Sequence, residues 1–221
     1  MKFSDYATVV FDCDGVILDS NRIKTEAFHQ AALPYGAEAA RNLVEYHTQN
    51  GGISRYKKFE YFLSNLVPAD MTGPTLQQLL ATYAAAVKAG LASCASAKGL
   101  ETLRRANPSA RWLVASGGDQ VELREVFASR GLTPLFDGGI FGSPDDKLDI
   151  LAREMTSGNI LMPALFLGDS KYDHVVALSQ RIDFVFLSAW SEFADRETYC
   201  SHHSISVFET LEDLIGDVEI A

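Results

Sequence analysis

The chain has 221 residues and a mass of 24.2 kDa, which fits one domain with an insertion or two small domains. Hydrophobic residues make up 47% and charged residues 22%, which excludes a disordered chain, and a net charge of −10 argues against nucleic acid or anionic lipid as partners. No apolar run reaches membrane-spanning length, the N-terminus lacks a signal-peptide pattern, and the scattered Cys13, Cys94 and Cys200 form no CxxC, so a cytoplasmic protein is expected.

In chain order, ATVVFDCDGV comes first, and residues 7–13 read as a buried strand with Asp14–Gly15 as its exit. No strand signal follows until residue 99. Ile23, Ala27 and Ala31 suggest one helix, residues 38–48 another. Phe59, Phe62, Leu63 and Leu66 fall at i, i+3, i+4 and i+7, and Leu76, Leu79, Leu80 and Tyr83 repeat that spacing. From Gly99 the pattern becomes an alternation of helix and strand. A helix over 100–106 leads to the strand RWLVAS, a helix with Leu123, Val126 and Phe127, and the strand GGIFGSP. A helix with Leu148, Leu151 and Met155 precedes the strand ALFLGDS; another precedes IDFVFLS, and a short strand at 206–208 precedes a terminal helix.

Such alternation predicts an α/β fold with a doubly wound, mostly parallel sheet. The first strand needs partners, and only the region after 99 supplies them. Residues 1–17 and 91–221 are therefore read as the core, and 18–90 as a helical cap inserted after the first strand.

Alternation along the first strand sends Asp12 and Asp14 to one face and Cys13 to the core. Two carboxylates so close at the end of an apolar strand need a cation or a shared proton, although Asp–Gly is also a common strand-exit turn. ALFLGDS repeats the pattern with Asp169, and Asp173 follows on the next helix. RWLVASGG ends a third strand in Ser116, Gly117 and Gly118. Ligands of open parallel sheets bind at the carboxyl ends of the strands, where these residues gather. Their oxygen-only character suits Mg²⁺. Ser116 and the glycine amides suit an oxyanion, or Ser116 simply caps the next helix. Ser143–Pro144 reads as an N-cap and first helical residue, with Asp145 and Asp146 in the first turn. Lys147 then carries the wrong charge for a helix start and makes sense if it reaches the same carboxylates or a phosphate; a solvated lysine beside two acids is the alternative.

The ordered motifs FDCDGV, VAS, Lys147 and GDSKYD resemble those of the haloacid dehalogenase superfamily over essentially the whole chain. The insertion falls where the family's helical cap of the first class sits, as in phosphoglycolate phosphatases and β-phosphoglucomutases. The resemblance implies a Mg²⁺-dependent phosphomonoester hydrolase acting on a small phosphorylated metabolite. Asp12 would be the nucleophile forming an aspartyl-phosphate and Asp14 the general acid and base. Asp12, the Asp14 carbonyl, Asp169 and Asp173 would hold or support the metal, and Ser116, Gly117 and Lys147 would bind phosphoryl oxygens. Asp14 argues against dehalogenase or phosphonatase chemistry, whose members lack this second acid.

In the cap, GGISRYKKFEYF places Arg55, Lys57 and Lys58 together. GISR resembles the cap loop of sugar-phosphate mutases, so Arg55 is a candidate to read a distal anion on the substrate. The alternative is a surface-exposed basic first turn of an amphipathic helix. Asp19 and Ser20 are assigned to the hinge, His29 and His47 to solvated cap surface, and His174 to packing. The rival functions are a phosphosugar mutase and a non-catalytic binding protein of the same fold.

Overall fold

A computed structural model describes residues 2–68, 70–215 and 220. Its centre is β1 (Thr8–Phe11), four residues buried on both faces, flanked in parallel by β2 (Arg111–Asp119) and β4 (Ala164–Gly168). β3 (Gly139–Ser143) extends the sheet beyond β2, and β5 (Asp183–Leu187) and β6 (Ser206–Phe208) extend it beyond β4. The order is β3-β2-β1-β4-β5-β6, and every described pairing is parallel.

Side-chain alternation divides the core. Val9, Phe11, Trp112, Val114, Leu165 and Leu167 face one side, with Leu100, Leu103 and Phe127. Val10, Leu113, Ala115, Phe166 and Phe186 face the other, with Ile150, Leu151 and Val176. The covering helices are α5 (Leu100–Ala106), α6 (Gln120–Ser129), α7 (Lys147–Thr156), α8 (Lys171–Ser179) and α9 (Arg196–His202). Register does the positioning. Phe11 lies opposite both Val114 and Leu167, so Asp12, Ser116 and Asp169 all emerge within two residues of one line across the sheet.

The insertion has its own core. Phe28, Leu43, Phe59, Phe62, Leu79, Tyr83 and Val87 pack together from α1 (Asn21–Ala32), α2 (Ala37–Gln49), α3 (Arg55–Tyr61), the π-helical turn Phe62–Leu66 and α4 (Leu76–Ser93). Burying each such Leu or Phe contributes about 1.5–3 kcal/mol, which lets the cap hold its shape apart from the sheet. Thr75 and Gln78 form a capping box that starts α4. This helix runs through residue 90 to Ser93, and Leu91 belongs to the cap cluster, so the helical insertion extends three residues past the boundary expected from sequence. At the crossover, Leu18 bridges to both Asp14 and Ser96.

Two expectations change. The helix after β3 begins at Lys147, not at Pro144, because Asp146 caps it by accepting from the Leu148 N–H at 3.1 Å. Ser143 is the last residue of β3, and its hydroxyl donates to the Gly117 carbonyl at 2.9 Å. The described part of the terminal helix is a 3₁₀ turn, Leu211–Leu214; residues 216–219 lie outside the described residues. No helix of the described chain is long and apolar enough to cross a membrane.

Candidate active site

Asp12 follows the last residue of β1, and its backbone N–H still bonds to the Leu167 carbonyl at 2.9 Å. Asp169 follows β4, and Asp173 lies one turn into α8. Carboxylate oxygens of these three buried residues all lie within 4.8 Å of one another. Lys147, the first residue of α7 and 1% exposed, reaches Asp12 Oδ2 at 2.9 Å and Asp173 Oδ1 at 2.6 Å. That contact explains its unfavourable position at a helix start.

One ammonium does not balance three carboxylates. Burial pushes Asp12 up to about 7 against the pull of Lys147, with Asp173 and Asp14 adding to the rise. Asp169 is driven well up by burial and by its acidic neighbours. Burial opposes the charge on Lys147, but Asp12 and Asp173 outweigh it and raise its affinity for a proton. The cluster is thus short of positive charge, and its donors are all oxygen, a fit to a hard divalent cation such as Mg²⁺. Asp173 is committed elsewhere: Oδ1 accepts from Lys147 and Oδ2 from the Ser170 hydroxyl at 2.6 Å. Asp12 likewise accepts from the Cys13 N–H through Oδ1 at 2.6 Å and pairs with Lys147 through Oδ2, and Asp169 takes Asn21 on Oδ2, so among the described residues Asp169 Oδ1 is the oxygen with capacity left.

Asp14 stands apart from the three. Burial alone would raise it, yet the Lys24 ammonium and the Ser20 hydroxyl, which donates at 2.6 Å, hold it below the usual carboxylate range. Ser20, assigned to the hinge from sequence, therefore orients this acid. Gly15 is required where it sits: its φ is +77°, and a Cβ there would overlap Asp169 and Asn21. Asn21 donates to Asp169 Oδ2 at 2.7 Å and to the Trp190 carbonyl at 2.8 Å. The first turn of α1 supplies Asn21 and Lys24, partners that no strand-end motif announces. The signal available was their spacing, since Ser20 and Lys24 are one turn apart just past the acids.

Asp12, Asp14, Asp169, Gly117 and Arg55 line one cavity between sheet edge and cap. Ser116, Lys147 and Asp173 are buried next to it and do not line it. Ser116 does not cap α6; Asp119 does, accepting from the Val121 and Glu122 N–H groups at 3.0 Å. The Ser116 hydroxyl instead accepts from the Gly118 N–H at 3.0 Å and shapes that turn.

Beside the contacts that α1 makes through Asn21 and Lys24, the cap meets this edge through the first turn of α3. Arg55 pairs with Glu122 and lies 4.6 Å from the Tyr83 ring centroid. The Tyr56 hydroxyl donates to Asp119 at 2.8 Å, and Lys57 pairs with Asp146. At Gly117 a Cβ would overlap the Gly52 carbonyl, so cap and core backbones meet there without side chains. Arg55 is therefore buried and already matched to a carboxylate. The surface reading fails for Lys58 too, which is buried, and His47 lines the cavity beside it. His174 packs, bonding to the Tyr199 hydroxyl at 2.8 Å.

A six-stranded parallel sheet, carboxylates at its carboxyl edge with a buried lysine, and a helical lid define a class of hydrolytic α/β enzyme. The haloacid dehalogenase-like hydrolase family matches residues 6–173, and the chain belongs to that family. Solved structures with this fold include a haloacid dehalogenase-like family protein from Streptococcus pneumoniae, 20% identical, with 94% of this chain and 96% of that one covered at a TM-score of 0.67. A hydrolase from Pseudomonas syringae is 19% identical, with 95% and 96% covered and a TM-score of 0.71. A "predicted phosphatase" from Clostridium acetobutylicum is 18% identical, with 96% and 92% covered and a TM-score of 0.61. No curated protein sequence matches the chain.

Proposed function

We propose that this hydrolase cleaves phosphomonoesters of small metabolites through an aspartyl-phosphate on Asp12. The observation that carries the reading is the trio Asp12, Asp169 and Asp173 around Lys147, of which Asp12 and Asp169 line a cavity that the cap covers. Asp12 attacks phosphorus, its new O–P bond forming as the ester P–O bond breaks. Asp14 gives its proton to the departing oxygen, then takes one from the water that hydrolyses the intermediate and frees Asp12. Lys24 and Ser20 keep Asp14 ionised in the ligand-free arrangement, the form needed for the second half. An arriving phosphoryl anion raises the affinity of Asp14 for a proton and prepares it for the first half.

Asp12 and Asp169, with the Asp14 carbonyl and support from Asp173, would hold Mg²⁺. When bound, it would offset the repulsion between a carboxylate nucleophile and an anionic phosphoryl group. The Ser116 hydroxyl, the Gly117 amide and Lys147 would meet the charge that builds on the phosphoryl oxygens. The mutase alternative leaned on Arg55 of the GISR run, and that guanidinium is occupied by Glu122.

The test is inorganic phosphate release from a panel of phosphorylated sugars, sugar acids and nucleotides, with Mg²⁺, with EDTA and with Asp12→Asn. Release that needs the metal and falls by about 10⁴-fold or more in Asp12→Asn is expected. Release that survives Asp12→Asn overturns the mechanism. Isomerisation of a sugar phosphate without release overturns the hydrolase assignment to this site.

A further inference from the structure

Four cationic side chains are buried among the described residues: Lys24, Arg55, Lys58 and Lys147. Lys24 has Asp14, Arg55 has Glu122, and Lys147 has Asp12 and Asp173. Among the described residues, Lys58 has no carboxylate at ion-pair distance. Its Nζ meets His47 Nδ1 at 2.7 Å, stands 3.5 Å from the His47 carbonyl, and lies 5.6 Å from the Phe28 ring centroid. It is 2% exposed, yet it lines the same cavity as Asp12, Asp14 and Asp169.

A buried ammonium without a counter-charge is costly, and an apolar side chain would suit the neighbouring Phe28 and Phe59 better. The cap core therefore gives no packing reason for a lysine here. Burial, with Lys24 and Lys147 adding to it, pushes the Lys58 amine down to about 7 against a weaker pull from the more distant Asp14 and Asp12 carboxylates. His47 is held neutral by burial and by Lys58 itself, so its ring can only steady the ammonium and cannot balance it. The remaining carboxylate on the cavity wall, Glu192, accepts from the Thr25 hydroxyl at 2.6 Å. The cavity volume is about 60 Å³, room for about four to six waters at 10–15 Å³ each, which suits a small ligand.

We infer that Lys58, steadied by His47, is the specificity-determining residue of this cavity and receives an anionic group at the end of the substrate remote from its phosphoryl group. The preferred substrate is then a compact phosphate ester bearing a second anion, a carboxylate or another phosphate. This inference rests on the phosphatase reading for the identity of the first group. Arg55, the residue the sequence offered for this role, lines the cavity too but already has Glu122 as its counter-charge.

The experiment measures binding, so it does not depend on turnover. The full-length protein, with Mg²⁺, is titrated with three probes on one carbon skeleton: propylphosphonate, 3-phosphonopropanoate and 1,3-propanediphosphonate. One charge-assisted contact predicts that at least one doubly anionic probe binds about tenfold or more tighter than propylphosphonate. Which of the two gains more identifies carboxylate or phosphate as the second group. In Lys58→Met the gap is expected to shrink to about threefold or less, and in Lys58→Arg to persist. Equal binding of all three probes to the unmodified protein, or no binding of any, overturns the inference without any variant. A preference that survives Lys58→Met also overturns it. Failure of phosphate release with the binding preference intact would instead count against the phosphatase reading alone.

Discussion

The two ends of the cavity have opposite shortages. On the core side, Asp12, Asp169 and Asp173 share one ammonium, and two of the three carboxyls are pushed upward as a result. On the cap side, Lys58 faces the cavity beside a neutral imidazole and the Phe28 ring, with no carboxylate at ion-pair distance among the described residues. Each end lacks what a ligand of the right polarity would bring. The core is short of positive charge and the cap of negative charge, and the proposed substrate, a phosphate ester with a charged tail taken up beside a metal ion, would balance both. Three ion pairs act as struts around them: Lys24 with Asp14 and Arg55 with Glu122 along the cavity wall, and Lys57 with Asp146 outside it.

The largest effect that separates the two ends comes from making one substitution at both lysines. Lys147→Met removes the sole ammonium among three buried carboxylates and should destabilise the protein by about 3–5 kcal/mol in the absence of metal. Urea denaturation reads this directly, and a loss below about 1 kcal/mol would mean that the cluster is neutral without Lys147. Next in size is the metal itself. Mg²⁺ at a hundred times its dissociation constant should add about 2.7 kcal/mol to stability, seen as a rise in Tm that Asp169→Asn abolishes. A Tm that ignores Mg²⁺ would break the core half of the comparison.

Lys58→Met should have the opposite sign to Lys147→Met, stabilising the protein by about 1–3 kcal/mol, since it removes an uncompensated buried charge. The difference depends on pH. The folded amine is held near 7 against an ordinary 10.5, so between those values the unfolded chain binds more protons than the folded one. Stability of the unmodified protein should therefore rise with pH across that window, relative to Lys58→Met. Below pH 7 the penalty is present in full, and above about 10.5 it has vanished. Parallel stability–pH curves for the two proteins would show that Lys58 already has a partner.

The smallest effect concerns the strut nearest the cap's charge. Arg55→Ala and Glu122→Ala should raise KM by similar factors, and the double variant should differ little from either one, with a coupling of about 1–3 kcal/mol. Much greater damage from Arg55→Ala than from Glu122→Ala would return Arg55 to the substrate.

What could be read from the sequence follows from range. The strand–helix alternation and the apolar strands that end in Asp12 and Asp169 are local patterns, and the parallel register turns them into one edge. The wrong charge of Lys147 at a helix start was an equally local oddity. The misread features depend on contacts between distant segments. Nothing near Arg55 in sequence points to Glu122, 67 residues on. Lys58 reads as solvated because basic residues in a first turn usually are, and only the packing of α2 against α3 encloses it. Ser143–Pro144 looked like a helix start by composition, but the cap went to Asp146, whose carboxylate also takes Lys57.

The run Arg55, Tyr56, Lys57 and Lys58 has a consequence beyond its separate contacts. Three consecutive side chains grip Glu122, Asp119 and Asp146 at the starts of α6 and α7, and the fourth turns inward to the cavity. The latch of the lid and its sensor thus occupy a single helical turn with one N-cap, Ser54. A shift of that turn toward a bound anion must load or slacken all three grips at once. On the proposed reading, an anion bound by Lys58 would therefore be felt at the contacts that hold the cap to the core, because one helical turn carries both.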